Sequence, residues 1–160
     1  MPRMFSQKTL TLLKEKIAET AARHCDGSGA EYPRLKYEIA RILAEHLASE
    51  HPWIKEIYYA DLSSGEVVRG LSDGSDIDLL VITRGPPGDP GLLAKHLEIT
   101  LNSLIADALH QASPSAAEKA RRHGIVEVHI DDMYARLAAR KARRGGLSSL
   151  NALRLWPPQK

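Results

Sequence analysis

The sequence predicts an α+β fold with α/β-like character: a small mixed sheet flanked by helices, in the order ααβ-βααβα. Three observations carry that expectation. Two amphipathic segments precede any strand-like sequence. The run Ile77-Asp78-Leu79-Leu80-Val81-Ile82 reads as a largely buried strand. A stretch with leucines every three or four residues then separates that strand from a second alternating one. At 160 residues the chain suits a single domain able to bury a core without disulfides. It divides into two N-terminal helices (1–52), a core carrying the candidate chemistry (53–144) and a C-terminal tail (145–160).

The first helix is expected over residues 6–24, where Leu10, Leu13, Ile17 and Ala21 recur at helical spacing until Asp26-Gly27-Ser28-Gly29 stops them. The second begins at Pro33, a favourable first-turn residue, and carries Leu35, Ile39, Ile42, Leu43 and Leu47 until Pro52. From Trp53 the sequence WIKEIYYADL is rich in aromatic and β-branched residues and alternates, as a strand does. A Gly-, Ser- and Asp-rich stretch leads to Ser75 and the Ile77–Ile82 strand, which Gly85-Pro86-Pro87-Gly88 breaks. Leu92, Leu93, Leu97, Leu101, Leu104, Ile105 and Leu109 mark a long central helix, and Ser113-Pro114 opens a short one to Arg122. Ile125 to Ile130 alternates as a third strand, after which Asp131 or Asp132 caps a basic helix running to about Arg144. Residues 145–160 show no clear pattern, with Leu153, Leu155 and Trp156 available to dock on the core.

With 43% hydrophobic and 26% charged residues, the composition excludes disorder of the whole chain. Cys25 is a single cysteine, so neither an internal disulfide nor a cysteine metal motif is expected. There is no apolar run of signal-peptide or membrane-span length, so a cytoplasmic protein without membrane contact is the expectation. The net charge of +2 is unevenly spread. Residues 115–160 hold ten Lys/Arg against four Asp/Glu, while residues 1–114 hold twelve against sixteen. The basic end is a candidate polyanion surface through Arg136, Arg140, Lys141, Arg143 and Arg144, although ARLAARKARR equally reads as an ordinary solvated helix face.

The segment with the most chemistry is GLSDGSDIDLLVIT, Gly70 to Thr83. Side chains alternate along a strand, so Asp76 and Asp78 share one face about 7 Å apart, within reach of shared divalent ions. Ile77, Leu79 and Val81 would anchor the other face in the core. Hard carboxylate oxygens at that place suit Mg²⁺ rather than zinc. On the later strand Val126, Val128 and Ile130 would face the core, leaving Glu127 and His129 on the opposite face. Glu127 is the candidate third carboxylate, and His129 a ligand or substrate contact.

Ser75-Asp76-Ile77-Asp78 running into Leu79-Leu80-Val81 resembles the signature of the DNA polymerase β-like nucleotidyltransferase superfamily, especially its minimal members. The resemblance extends from about Ile54 to Val81. In that family a Gly-Ser pair ends the preceding strand; here Asp61-Leu62-Ser63-Ser64-Gly65 stands in its place, and the third carboxylate is more often Asp than Glu. The resemblance implies transfer of a nucleoside monophosphate from a nucleoside triphosphate such as ATP to a hydroxyl acceptor. It further implies two Mg²⁺ ions held by Asp76, Asp78 and Glu127, and triphosphate contacts from Ser63, Ser64, Gly65 and Ser75. Two other readings stand beside it. One is a catalytically degenerate nucleotide-binding or antitoxin-like module acting with a helical partner protein; the other is an RNA-binding protein using the basic C-terminal helix.

The remaining candidates read as structural. His24, His46, His51, His96, His110 and His123 show no ligand spacing, Tyr58 and Tyr59 suit core packing better than base stacking, Arg84 reads as a surface residue, and Asp73 as a turn residue.

Overall fold

The computed structural model describes residues 5–24, 34–61, 77–144 and 151–158. Among these, five helices surround a four-stranded mixed sheet. The elements are α1 (Gln7–His24), α2 (Arg34–Glu50), β1 (Ile54–Asp61), β2 (Ile77–Thr83), α3 (Pro90–Leu109), α4 (Pro114–Arg122), β3 (Val126–Ile130), α5 (Met133–Arg144) and β4 (Asn151–Trp156). The sheet order is β3-β2-β1-β4, with β1 antiparallel to both its neighbours and β2 parallel to β3. The expected helices and strands form within a few residues of their predicted limits.

The tail is where the expectation changes. Residues 151–156 are a strand, β4, that pairs along β1 and buries Leu155, with Trp156 packed at the margin of the core and Leu153 left exposed. Residues 151–156 lack a clean alternation of apolar and polar side chains. They become a strand because β1 offers an unpaired edge whose N–H and C=O groups need partners.

The sheet separates two layers. One face presents Ile57 and Tyr59 from β1, Ile77, Leu79 and Val81 from β2, and Val126, Val128 and Ile130 from β3; all are buried with Ile39, Leu43 and Leu47 of α2 and Leu97, Leu101 and Ile105 of α3. The other face carries a smaller cluster in which Tyr58 and Leu80 meet Ala135, Ala138 and Ala139 of α5, with Ile82 at its margin. Alanine on the inner side of α5 lets that helix sit close against the strands while Arg136 and Arg140 are exposed on it. In the register of this face, Tyr58, Leu80 and His129 form one row, and Ala60, Asp78 and Glu127 form the next. Asp78 and Glu127 therefore lie one row beyond the apolar patch that α5 covers.

Strand β3 lies at an edge, and α3 supplies what that edge lacks. Asn102 Oδ1 accepts from the backbone N–H groups of Ile125 at 2.6 Å and Val126 at 2.9 Å, while its Nδ2 donates to Val126 O at 3.0 Å. Glu98 Oε1 accepts from Val128 N–H at 2.8 Å. Orphaned backbone donors at the rim are thereby satisfied, and β3 is held in a single register against β2. Gly124, at φ +80, permits the turn into β3; a Cβ there would lie 3.1 Å from Asn102 Nδ2.

At the far end of β2 the two neighbouring aspartates divide their tasks. Asp131, at φ +51, accepts from the backbone N–H of Thr83 at 3.0 Å and from its hydroxyl, tying β3's exit to β2. Of the two aspartates offered as the cap of α5, Asp131 is not the one that serves. Asp132 caps α5, its Oδ1 accepting from Ala135 N–H at 2.9 Å. Asp89 caps α3 in the same manner through Leu92 N–H, with Pro90 in the first turn.

Candidate metal centre

Parallel pairing of β2 with β3 sets Asp78 directly opposite Glu127 and Leu80 opposite His129, and brings the three polar side chains to one place. One ligand atom from each of Asp78, Glu127 and His129 lies within 4.8 Å of the others. Asp78 is buried at 4% exposure, His129 is mostly covered, and the Glu127 side chain is half exposed at 50%. The group thus has a covered floor and an open side.

His129 is held by its other nitrogen. Its Nδ1 lies 2.6 Å from Asp132 Oδ2, and since an ionised carboxylate only accepts, Nδ1 carries the proton. Nε2 then faces the carboxylates, 3.3 Å from Glu127 Oε1 and 4.0 Å from Asp78 Oδ1. Tyr134 packs against the imidazole with ring centroids 5.2 Å apart and planes at 60°. A carboxylate behind a histidine is the usual means of fixing which nitrogen is offered to a metal.

The residues fit a divalent ion. Cation–ligand distances of about 2.0–2.2 Å place adjacent ligand atoms about 3 Å apart. The 3.3 Å and 4.0 Å gaps need only small adjustments, and half-exposed Glu127 is free to make them. Two carboxylates and an imidazole can therefore hold a metal ion, with room left on the open side for further oxygen ligands.

Of the residues singled out in the sequence, Asp78 and Glu127 are brought together and His129 joins them. Asp76, Ser63, Ser64, Gly65, Ser75 and Asp73 lie outside the described residues. Tyr58 and Tyr59 are each 1% exposed, so neither ring is open to stack a base. Tyr58 donates to Glu56 Oε2 at 2.6 Å, and Tyr59 meets the edge of Tyr37. Arg84 is occupied structurally, its Nη1 donating to Pro52 O at 2.8 Å and Ile54 O at 2.7 Å. Asp132 is the residue whose part sequence reasoning missed. The signal was its place three residues after His129, across a strand end, where a turn folds the carboxylate back onto the ring.

Two hollows lie away from this group. One of about 1210 Å³ runs between α1 and α3, lined by Leu10, Lys14, Ile99, Ser103 and Asp107 among others. The second, about 710 Å³, lies at the C-terminal end of β2 beside Arg84, Arg136 and Arg140. No family model matches this chain, and no curated protein or solved structure matches it either. No helix among the described residues is long and apolar enough to cross a membrane.

Proposed function

We propose that the protein is a divalent-cation-dependent nucleotidyltransferase that moves a nucleoside monophosphate from a nucleoside triphosphate to a hydroxyl acceptor. The observation that carries this reading is the pairing of Asp78 on β2 with Glu127 on parallel β3, which joins the Ser75-Asp76-Ile77-Asp78 segment to a carboxylate on a later strand. In this reading Asp78 and Glu127, with Asp76, hold the cation, and Ser63, Ser64, Gly65 and Ser75 contact the triphosphate. A cation held there would neutralise charge on the phosphates and on the departing pyrophosphate, and would lower the cost of forming an attacking hydroxylate. Asp78, buried on a strand whose other face is core, supplies a rigid anchor. Glu127, half exposed, is the carboxylate placed to take the proton from an acceptor hydroxyl approaching the open side. No covalent enzyme intermediate is required.

Calorimetric titration of Mg²⁺-ATP into the protein and into the Asp76→Asn/Asp78→Asn variant tests this site. Saturable binding to the first and none to the second is expected, together with transfer of label from α-labelled ATP to an acceptor. Equal affinity in both would overturn the assignment.

A second reading has its own support. Arg136 and Arg140 are exposed on α5 and line the hollow at the end of β2, a basic surface suited to an RNA backbone. Affinity for single-stranded RNA that falls steeply with added salt and drops in Arg136→Ala/Arg140→Ala would support it; no binding at low salt would eliminate it.

A further inference from the structure

The sequence called for Mg²⁺, a hard cation satisfied by oxygen, yet the group that the fold assembles contains an imidazole aimed at both carboxylates. Mg²⁺ is held through oxygen ligands and water and gains little from a ring nitrogen, whereas imidazole is a good ligand for transition-metal divalent cations. A histidine at this place would be a poor choice for a site meant for Mg²⁺ alone.

Three features make His129 more than a neighbour of the carboxylates. Strand register puts it in the row next to Asp78 and Glu127 on the same face, so its position follows from β2–β3 pairing and not from a loop. Asp132 accepts the Nδ1–H hydrogen bond and leaves the Nε2 lone pair facing Glu127 and Asp78. Finally, Asp132 is itself immobilised, because its second oxygen caps α5 through Ala135 N–H. The ring is thus prepared before any ion arrives, and the ordering cost that usually accompanies ligand binding is already met by the fold.

We infer that His129 Nε2 is a metal ligand, oriented by Asp132, and that it makes the Asp78–Glu127 centre take a transition-metal divalent cation in preference to Mg²⁺. This rests on the cation site of the reading above but not on nucleotidyl transfer itself. His129 is the ligand in this assignment, and Asp132 a positioning residue that acts through it.

The experiment uses the full chain and the metals alone. Mn²⁺ serves as a paramagnetic probe, with binding followed by electron paramagnetic resonance and by competition with Mg²⁺. Mn²⁺ is expected to bind more tightly than Mg²⁺, and its pulsed spectrum to show nitrogen hyperfine coupling from a directly bound imidazole. In His129→Gln the nitrogen coupling should vanish and Mn²⁺ affinity fall, with Mg²⁺ affinity little changed. Asp132→Asn retains an oxygen for the α5 cap but presents a donor to Nδ1, which favours the wrong tautomer; a loss of about 10- to 100-fold in Mn²⁺ affinity is expected. Bound Mn²⁺ without nitrogen coupling would overturn the inference, as would His129→Gln binding Mn²⁺ as the parent protein does. Failure of the enzymatic reading would look different: Mn²⁺ would bind with nitrogen coupling, and no nucleotide would be transferred.

Discussion

The Nδ1 of His129 sits 2.6 Å from Asp132, and the same aspartate's other oxygen caps the following helix. One side chain thus links the orientation of a candidate ligand to the start of α5. This coupling allows its two roles to be separated by substitution. Asp132→Ala removes both contacts and should destabilise the protein by about 1 kcal/mol, the usual worth of a helix N-cap. Asp132→Asn keeps the capping oxygen and should stay within about 0.5 kcal/mol of the parent. Urea denaturation of the two variants measures the difference, and equal stabilities would show that the cap is unimportant.

Asn102 is expected to matter more than its partly buried position suggests. It serves Ile125 N–H, Val126 N–H and Val126 O at once. Asn102→Ala leaves two backbone donors without acceptors, at a cost of about 2 kcal/mol. Hydrogen exchange should locate the loss: amides of Ile125 and Val126 exchange faster in the variant, while those of β1 are unchanged. Uniform acceleration across the sheet would instead mean that the residue supports global stability and not the β3 edge.

Removal of residues 145–160 tests the role of the tail. Without β4, the outer edge of β1 is unpaired and the core loses Leu155 and the packing of Trp156. An open strand edge beside newly exposed apolar surface invites self-association. A chain ending at residue 144 should therefore elute as aggregate or lack a cooperative thermal transition. A monomer melting at the parent temperature would show that the fold does not need this strand.

Glu50, at the end of α2, provides a pH signature. Hydrogen bonds from Thr9 and from the Ser6 hydroxyl and N–H hold its carboxyl below the ordinary value of 4.5. A depressed carboxyl pKa stabilises the folded state above the ordinary value, and that contribution is lost as pH falls through the lower, folded-state value. The group is partly exposed, so the effect is small. Glu50→Gln should melt no more than about 2 °C below the parent at pH 7, and the gap between the two should close as pH falls below the ordinary value of 4.5 and through the lowered one. A gap that widened on acidification would contradict the assigned sign.

Much of this architecture was legible in the chain. Alternation in Val126-Glu127-Val128-His129-Ile130 separated core-facing from site-facing residues, and the structure buries the three apolar positions as that pattern requires. Leucine spacing located α3, and Pro114 marked a helix start because its chemistry acts within a turn. Such features are local, and local rules read them.

What could be read from residue order alone was therefore the set of helices and the first three strands, the face each strand turns inward, and the carboxylates that stand out from an apolar background. Tertiary structure decided which strands became neighbours: β2 beside β3, so that Asp78 meets Glu127 and His129, and β4 beside β1, so that a patternless tail became part of the sheet. It also chose between Asp131 and Asp132, assigning one to Thr83 and the other to a helix cap and an imidazole. The physical reason is the same in each case. Periodicity records how a segment divides between water and core, whereas pairing and side-chain hydrogen bonds depend on groups far apart in the chain whose meeting only the packed fold determines.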